Sequence, residues 1–511
     1  MRNEGERPGL LIAALAGVLA GAVALGVAEL AAAFVRPQAA PLIAVGGAGI
    51  DLTPEWLKHF AIRAFGTHDK QVLLGGLAAG AAVFAALFGV AGRFRRAAGA
   101  AGFAAFGLLG AVAALTRPVA GPADTVPVLL GMIAGIAALF LLLSLAPAAG
   151  VRGVDSDAGR RVFLAAAGGA AAVAASAGTL GRVLTSRRDV AAARRAVRLP
   201  AAAKPAPPLP AGADLRVPGL TPFVTPNKDF YRVDTNLVLP QVDPEQWTLR
   251  VHGLVDRPFE ISFAELLRRP LEEHDITLTC VSNEVGGPYA GQARWLGVPL
   301  AGLLREAGVR AGADQVFSRS ADGFTVSTPL PAVLDGRDAL LAVGMNGEPL
   351  PVAHGFPARL VVPGLYGYVS ATKWVVDLKV SRFADDRAYW TRRDWADHAP
   401  IKTMARIDLP KAFANIKAGR VPIAGVAWAQ HRGIDAVEVR VDDGPWRRAR
   451  LAPVPNTDTW RQWFLEWDAA PGNHRIEARA IDGTGAVQTS QRAEPFPSGA
   501  SGRHSTVVTI T

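Results

Sequence analysis

The chain has one cysteine, Cys280, in the string Leu278-Thr279-Cys280-Val281-Ser282-Asn283-Glu284-Val285-Gly286-Gly287. A thiolate is a soft ligand suited to a polarizable metal centre. The alternation Asp275-Ile276-Thr277-Leu278-Thr279 reads as a strand. Cys280 therefore falls at a strand end, where the Gly-rich turn that follows would open it to a cleft. A lone cysteine is as readily a small buried hydrophobe, so its neighbours must decide. One cysteine excludes an intramolecular disulfide, c-type haem attachment and cysteine-based iron–sulfur or zinc clusters, and no haem or iron–sulfur centre is expected in this chain.

A second constellation runs from His354-Gly355-Phe356-Pro357-Ala358-Arg359 through an apolar strand to Gly364-Leu365-Tyr366-Gly367-Tyr368, then Ser370-Ala371-Thr372-Lys373-Trp374. Gly-rich loops let backbone N–H groups approach an anion, and Arg and Lys neutralise phosphate. The bland alternative is a core strand between solvated charges. A third string, Asn227-Lys228-Asp229-Phe230-Tyr231-Arg232, is polar and aromatic, and could equally be a surface turn.

The elements that must position these residues lie in a chain of 511 residues with two kinds of sequence. Five apolar stretches, 10–35, 72–91, 97–115, 126–149 and 162–183, are long enough, or nearly so, to cross about 30 Å of hydrocarbon. Arg93, Arg95 and Arg96, and then Arg152, Arg160 and Arg161, flank them. The positive-inside bias makes both loops cytoplasmic, with the N-terminus inside and everything after the fifth span outside. The loop 36–71 is then external and ordered. It holds His59 and His68, away from the positions that would ligate an intramembrane haem. Residues 185–219, rich in Pro, Ala and Arg, read as an extended spacer.

Beyond it, Trp247 to Val251 alternates like a strand, Ser262 and Glu265 form a capping box, and Pro299 to Ala307 followed by Gly308 reads as a helix with its stop signal. This part is mixed α and β. After Pro400 the helical signals vanish. Val437 to Val441, the turn Asp442-Asp443-Gly444, Gln462 to Trp467, Arg475 to Ala480 and Ser505 to Ile510 suggest an Ig-like sandwich. The expected organisation is a five-span membrane domain (1–184), a linker (185–219), an α+β cofactor domain (220–399) and a β-sandwich (400–511).

Taken together these strings resemble the sulfite oxidase family of molybdenum enzymes, over roughly Thr221 to the C-terminus. The string from His354 to Gly364 with Lys373-Trp374 is the most specific part. The cysteine at a strand end, Trp295 to Leu304 after it, and Phe317 to Gly323 agree in order and spacing. The segment from Pro400-Ile401-Lys402-Thr403 through Gly425-Val426-Ala427-Trp428 resembles that family's Ig-like dimerisation domain. The resemblance implies molybdenum held by a pterin dithiolene and by Cys280, which is then metal ligand and catalytic centre. His354, Arg359 and Lys373 carry over as contacts to the pterin and its phosphate. Tyr231, Arg232 and Asn227 carry over as N-terminal contacts, and Ser320, Ser370 and Ala371 as further ones. It also implies oxygen-atom transfer, with a homodimer through the C-terminal part.

Departures bear on substrate. Sulfite oxidases place arginines shortly after the ligand cysteine. Here Val281-Ser282-Asn283-Glu284-Val285 has an acid instead, which would repel a dianion. Arg294 is the nearest replacement. An S- or N-oxide of a small molecule or protein is therefore expected rather than sulfite. Sulfite oxidation proper, a non-catalytic exported binding or sensor protein, and a transporter or quinone module are the alternatives. The partners expected are the lipid bilayer, a quinone or cytochrome exchanging electrons, and the substrate. The net charge of +10 is explained by arginines near spans and linker, and no nucleic-acid motif accompanies it. Gly159-Arg160-Arg161-Val162-Phe163-Leu164 resembles a twin-arginine export signal placed inside the chain.

Overall fold

The computed structural model describes residues 7–54, 57, 60, 64–65, 68–147, 154–186 and 189–511. His59 and Arg152 lie outside the described residues. The chain divides into two compact units. One comprises residues 1–189 with 235–239, and the other residues 190–234 with 240–511.

The first unit is helical among its described residues. Its long helices are α1 (Leu10–Ala32), α3 (Asp69–Phe94), α4 (Arg96–Leu115), α5 (Val126–Leu145) and α6 (Val154–Ser186). Among the described residues five helices are long and apolar enough to cross a membrane, matching the five expected stretches. Exposed Leu11, Leu108 and Leu164 suit a surface facing lipid rather than water. Close packing rests on small residues. A Cβ on Gly17 would lie 2.1 Å from the Ala85 carbonyl oxygen, so α1 and α3 meet backbone to backbone. The ordered loop after α1 contains α2 (Pro41–Leu52), with Pro41 as its first helical residue. His68 precedes the first turn of α3. Two ion pairs tie the loops together: Arg36 holds Asp124 through two hydrogen bonds of 2.6 and 2.7 Å, and Arg117 meets Asp51 at 2.9 Å.

The second unit begins at Val190, so most of the segment 185–219, expected to be an extended linker, belongs to this unit. Arg194 donates to the carbonyls of Leu350 and Pro349 and pairs with Glu348. Ala203 N–H bonds the Leu271 carbonyl, and Leu215 N–H bonds the Gln462 side chain. The proline-rich segment cannot fold alone, but its backbone polar groups are satisfied along the surface of this unit.

Two sheets build the α+β part. One has the order β2 (Phe259–Ser262), β1 (Thr248–Gly253), β10 (Val375–Ser381), β5 (Gln315–Ser320), β6 (Thr325–Pro329). The other has β3 (Glu272–Thr279), β4 (Ala290–Pro299), β7 (Leu340–Met345) and β8 (Glu348–Pro349), with β9 (Arg359–Val361) also paired to β7. The capping box forms as read: Ser262 Oγ accepts the Glu265 N–H, and Glu265 accepts the Ser262 N–H. The helix Leu300–Ala307 stops at Gly308, whose φ of 71° is left-handed.

From Met404 onward the described residues form strands and loops only. One sheet runs β11 (Met404–Leu409), β13 (Gly419–Trp428), β17 (Arg461–Ala469), β16 (Arg450–Leu451). The other runs β12 (Asn415–Ile416), β19 (His504–Ile510), β18 (Gly472–Asp482), β14 (Ile434–Val441), β15 (Arg447–Arg448). Ile407, Ile423 and Trp463 from the first sheet and Val439, Ile476 and Val508 from the second share one buried core. The arrangement is therefore a two-sheet sandwich.

Candidate active site

Strand β3 ends at Thr279 and delivers Cys280 into a tight loop. Cys280 N–H bonds the Tyr289 carbonyl at 2.9 Å, and its own carbonyl accepts the Asn283 N–H at 3.1 Å. Buried Asn283 closes the loop by accepting the Tyr289 N–H at 2.8 Å. The thiol is nearly buried, and burial pushes its pKa up, against a lowering by hydrogen bonds from Ser282 and by the charge of Lys373. Nothing in the protein alone therefore ionises this thiol, whereas a coordinated metal would.

The Gly-rich loop after β9 comes up beside it. A Cβ on Gly367 would stand 3.8 Å from the Thr279 carbonyl oxygen and 4.0 Å from the Tyr231 hydroxyl. The Tyr231 ring stacks on Phe230 at 5.2 Å, and Phe230 meets the His354 ring edge-on at 5.4 Å. The three strings singled out in the sequence thus converge on the end of β3.

Their cations lie close together. Arg359, on β9, is buried. It donates to the carbonyls of His354 (3.1 Å) and Ala371 (3.4 Å) and lies over the Trp295 ring. Burial lowers its pKa to about 10. Lys373 pairs with Asp234 at 3.0 Å, and Arg232 reaches the same carboxylate at 3.2 Å. Burial lowers Lys373 to about 8, the Asp234 charge opposing that shift. Desolvation, helped by the charges of Arg359 and Lys373, lowers His354 to about 4. Its imidazole is neutral at pH 7, with Nε2 3.2 Å from the Asn227 carbonyl oxygen, so the network assigns the N–H to that nitrogen.

Not every expected contact is free to serve a ligand. Asn227 spends its amide on the Met345 carbonyl, Glu348 and Asn346, and so fixes the backbone that holds His354. Ser370 donates back to the carbonyls of Leu365 and Tyr366. Ala371 contributes its carbonyl to Arg359. Ser320 differs: its hydroxyl is buried with no hydrogen-bond partner. Asp234 and Tyr289 were not singled out by sequence reasoning, and Tyr366 was read only as part of the Gly-rich string. Asp234 lies 139 residues from its partner Lys373, and no local pattern signals so distant a pair.

The arrangement is a cation-rich cluster around one carboxylate beside a buried thiol, and the orphaned Ser320 hydroxyl belongs to β5, at the position paired with Val375, two residues after Lys373. An anion-bearing ligand that also supplies a soft metal fits it. Residues 236–390 match the family described as the oxidoreductase molybdopterin binding domain. Mouse mitochondrial sulfite oxidase is 30% identical over 317 residues, 52% of this chain and 57% of its own length. Chicken sulfite oxidase is 30% identical over 315 residues, 52% of this chain and 68% of its own. The chain belongs to the sulfite oxidase family.

A solved structure is similar as well. The sulfane dehydrogenase SoxCD of Paracoccus pantotrophus aligns with a TM-score of 0.50 at 25% identity, covering 57% of this chain and 84% of that one. This chain spans only 57% of the length of the mouse sulfite oxidase it matches. Cys280, Arg359, Lys373 and the Gly-rich loop lie within residues 236–390, which the family model matches, and Arg232 and Asp234 lie just before them.

One departure from a sulfite site is structural. Arg294, the first arginine after Cys280 in the sequence, is locked to Asp275 at 2.7 Å, and that carboxylate is fully buried. Arg294 also donates to the Pro207 carbonyl. Glu284 is exposed on the loop after Cys280.

Proposed function

We propose that this chain is a membrane-anchored oxidoreductase that carries out oxygen-atom transfer on an S- or N-oxide of a small molecule or protein, outside the cytoplasm. The observation that carries this reading is the convergence of Cys280, Tyr231, Arg359 and Lys373 at the end of β3. Cys280 would hold molybdenum, and Arg232, Arg359 and Lys373 would neutralise the pterin's phosphate, with Ser320 offering a hydrogen bond. When bound, the molybdenum–pterin cofactor supplies two-electron oxygen-atom chemistry.

The chain's own residues do the rest. Asp234 keeps Lys373 protonated at neutral pH, so that it remains an anion ligand. Asn227 holds neutral His354 as a polar contact rather than a third charge. The Asn283 turn presents the Cys280 sulfur, and the packed aromatics Phe230, Tyr231 and Tyr289 exclude water from one side.

The five apolar helices would anchor the unit and exchange its electrons with a quinone or cytochrome. The sandwich, read as Ig-like, would mediate a homodimer. Arg160 and Arg161, exposed on α6, would act as a twin-arginine signal. A cofactor inserted in the cytoplasm requires a folded domain to cross the membrane. A second reading, oxidation of sulfite or a related sulfur compound, is favoured by the likeness to sulfite oxidases. The commitment of Arg294 to Asp275 weighs against it.

The test is a dye-linked assay on the full chain. Reduced methyl viologen is oxidised by methionine sulfoxide, dimethyl sulfoxide or trimethylamine N-oxide. Turnover of one of these that is lost in Cys280→Ser supports the reading. Turnover unchanged in Cys280→Ser would sink it.

A further inference from the structure

Strand β3, which delivers Cys280, is the edge of its sheet and pairs with β4 on one side only. A buried edge leaves N–H and C=O groups that must find partners elsewhere. Here they come from other parts of the same unit. Glu273 N–H bonds the Lys204 carbonyl at 2.9 Å, and Thr277 N–H bonds the Asp458 carbonyl at 3.0 Å. Asn456 donates its amide to the Asp275 carbonyl at 3.0 Å. Gln430 Nε2 donates to the Thr277 carbonyl at 3.1 Å and to the Thr279 hydroxyl oxygen at 3.0 Å.

Gln430 makes the last of these contacts before the cysteine, because Thr279 is bonded directly to Cys280. It is fully buried, in the turn between β13 and β14. That turn is stiff. The Ala429 carbonyl accepts the N–H groups of Arg432 and Gly433 at 2.9 and 2.8 Å, and Arg432 pairs with Asp482 at 3.0 Å. Gln430 Oε1, by contrast, is buried with no hydrogen-bond partner among the described residues. A buried acceptor left unmade offsets what a made bond contributes. An apolar side chain of equal length would fill the space without that cost, so stability alone does not account for the amide. What its two bonds do provide is a fixed place for the end of β3.

We propose that Gln430 is a positioning residue: by tying Thr277 and Thr279 to a stiff turn of the sandwich, it sets where the Cys280 sulfur stands. It acts through Thr279. The sandwich is then part of the site's framework. The proposal rests on the molybdenum reading given above.

The experiment uses the full chain. Gln430→Met and Thr279→Val each remove the bond between these two side chains. In molybdenum-loaded protein both should shift the electron paramagnetic resonance spectrum of the half-reduced enzyme. Both should also lower kcat for the oxides of the viologen assay by about tenfold to hundredfold, with KM little changed. The double variant should lose little more than Gln430→Met, since the two share one bond. Asn456→Asp is the control. It removes the donor to Asp275, five residues before the cysteine, and keeps the oxygen that accepts the Asp458 N–H. It should lower stability and leave the spectrum and kcat as in wild type. In cofactor-free protein Cys280 is the only thiol, so its rate of alkylation by N-ethylmaleimide reports its setting directly. That rate should rise about tenfold in Gln430→Met and Thr279→Val, and not in Asn456→Asp. Spectrum and alkylation rate unchanged in both variants would overturn the proposal. Equal changes in Asn456→Asp would overturn it too, by showing a general loosening of the edge. If Gln430→Met fails to fold or loses molybdenum, Thr279→Val and the alkylation rates decide. Wild-type protein without molybdenum would defeat the functional reading, while the alkylation rates would still test Gln430.

Discussion

Lys373 Nζ sits 3.0 Å from the Asp234 carboxylate, and both side chains are largely shielded from water. Breaking a buried pair leaves one charge uncompensated. Lys373, already lowered to about 8, can shed its proton at modest cost. Asp234→Asn should therefore destabilise the cofactor-free protein by only about 1–3 kcal/mol. With cofactor bound, a phosphate would replace the lost carboxylate, and the loss should shrink. Chemical unfolding of loaded and cofactor-free protein, followed by tryptophan fluorescence, checks this. A larger loss in the loaded form would contradict it.

His354 gives a pH dependence. Its folded pKa of about 4 lies below the ordinary value of 6.5, so the unfolded chain binds a proton between those values and the folded protein does not. Stability is fully present above pH 6.5 and is lost as pH falls toward 4, by on the order of 3 kcal/mol. His504 is lowered to about 4 as well, again by burial. The slope of stability against pH should therefore halve in His354→Gln rather than vanish. An unchanged slope in that variant would show that His354 does not titrate in this window.

Arg294 should behave as a structural residue. Arg294→Met leaves the buried Asp275 carboxylate unpaired and should cost about 3–5 kcal/mol. Steady-state assays with sulfite should give poor kcat/KM in the wild type. Sulfite oxidation with micromolar affinity that disappears selectively in Arg294→Met would reverse the reading of this arginine.

Arg160→Lys/Arg161→Lys keeps both charges. Topology rules alone then predict no change. Export through the twin-arginine route predicts that the second unit stays inside the cell, protected from added protease. Digestion equal to wild type would remove the case for that route.

Much of this was legible because it is local. The five apolar stretches, the Ser262–Glu265 capping box and the stop at Gly308 each rest on neighbours within a turn or two. The three site strings were legible as chemistry, and their order allowed the family resemblance. What stayed hidden depends on pairing across the chain. The segment 185–219 read only as an extended linker because its prolines forbid regular structure, yet Arg194 finds carbonyls about 155 residues away. Asn227 looked like a ligand contact because of its neighbours Tyr231 and Arg232, but Asn346 and Glu348 consume its amide. Tyr366 lay inside the second string without a role of its own, and its contacts with Lys402 and Gly499 come from a different part of the fold.

The most direct measurement is the molybdenum content of the purified full chain, by elemental mass spectrometry, in wild type and Cys280→Ser. The expected result is about one molybdenum per wild-type chain, as the soft-ligand set of thiolate and dithiolene requires, with Cys280→Ser folded but inactive. Wild-type protein that is folded and free of molybdenum, or a Cys280→Ser variant that turns over normally, would contradict the assignment of Cys280 as the metal ligand.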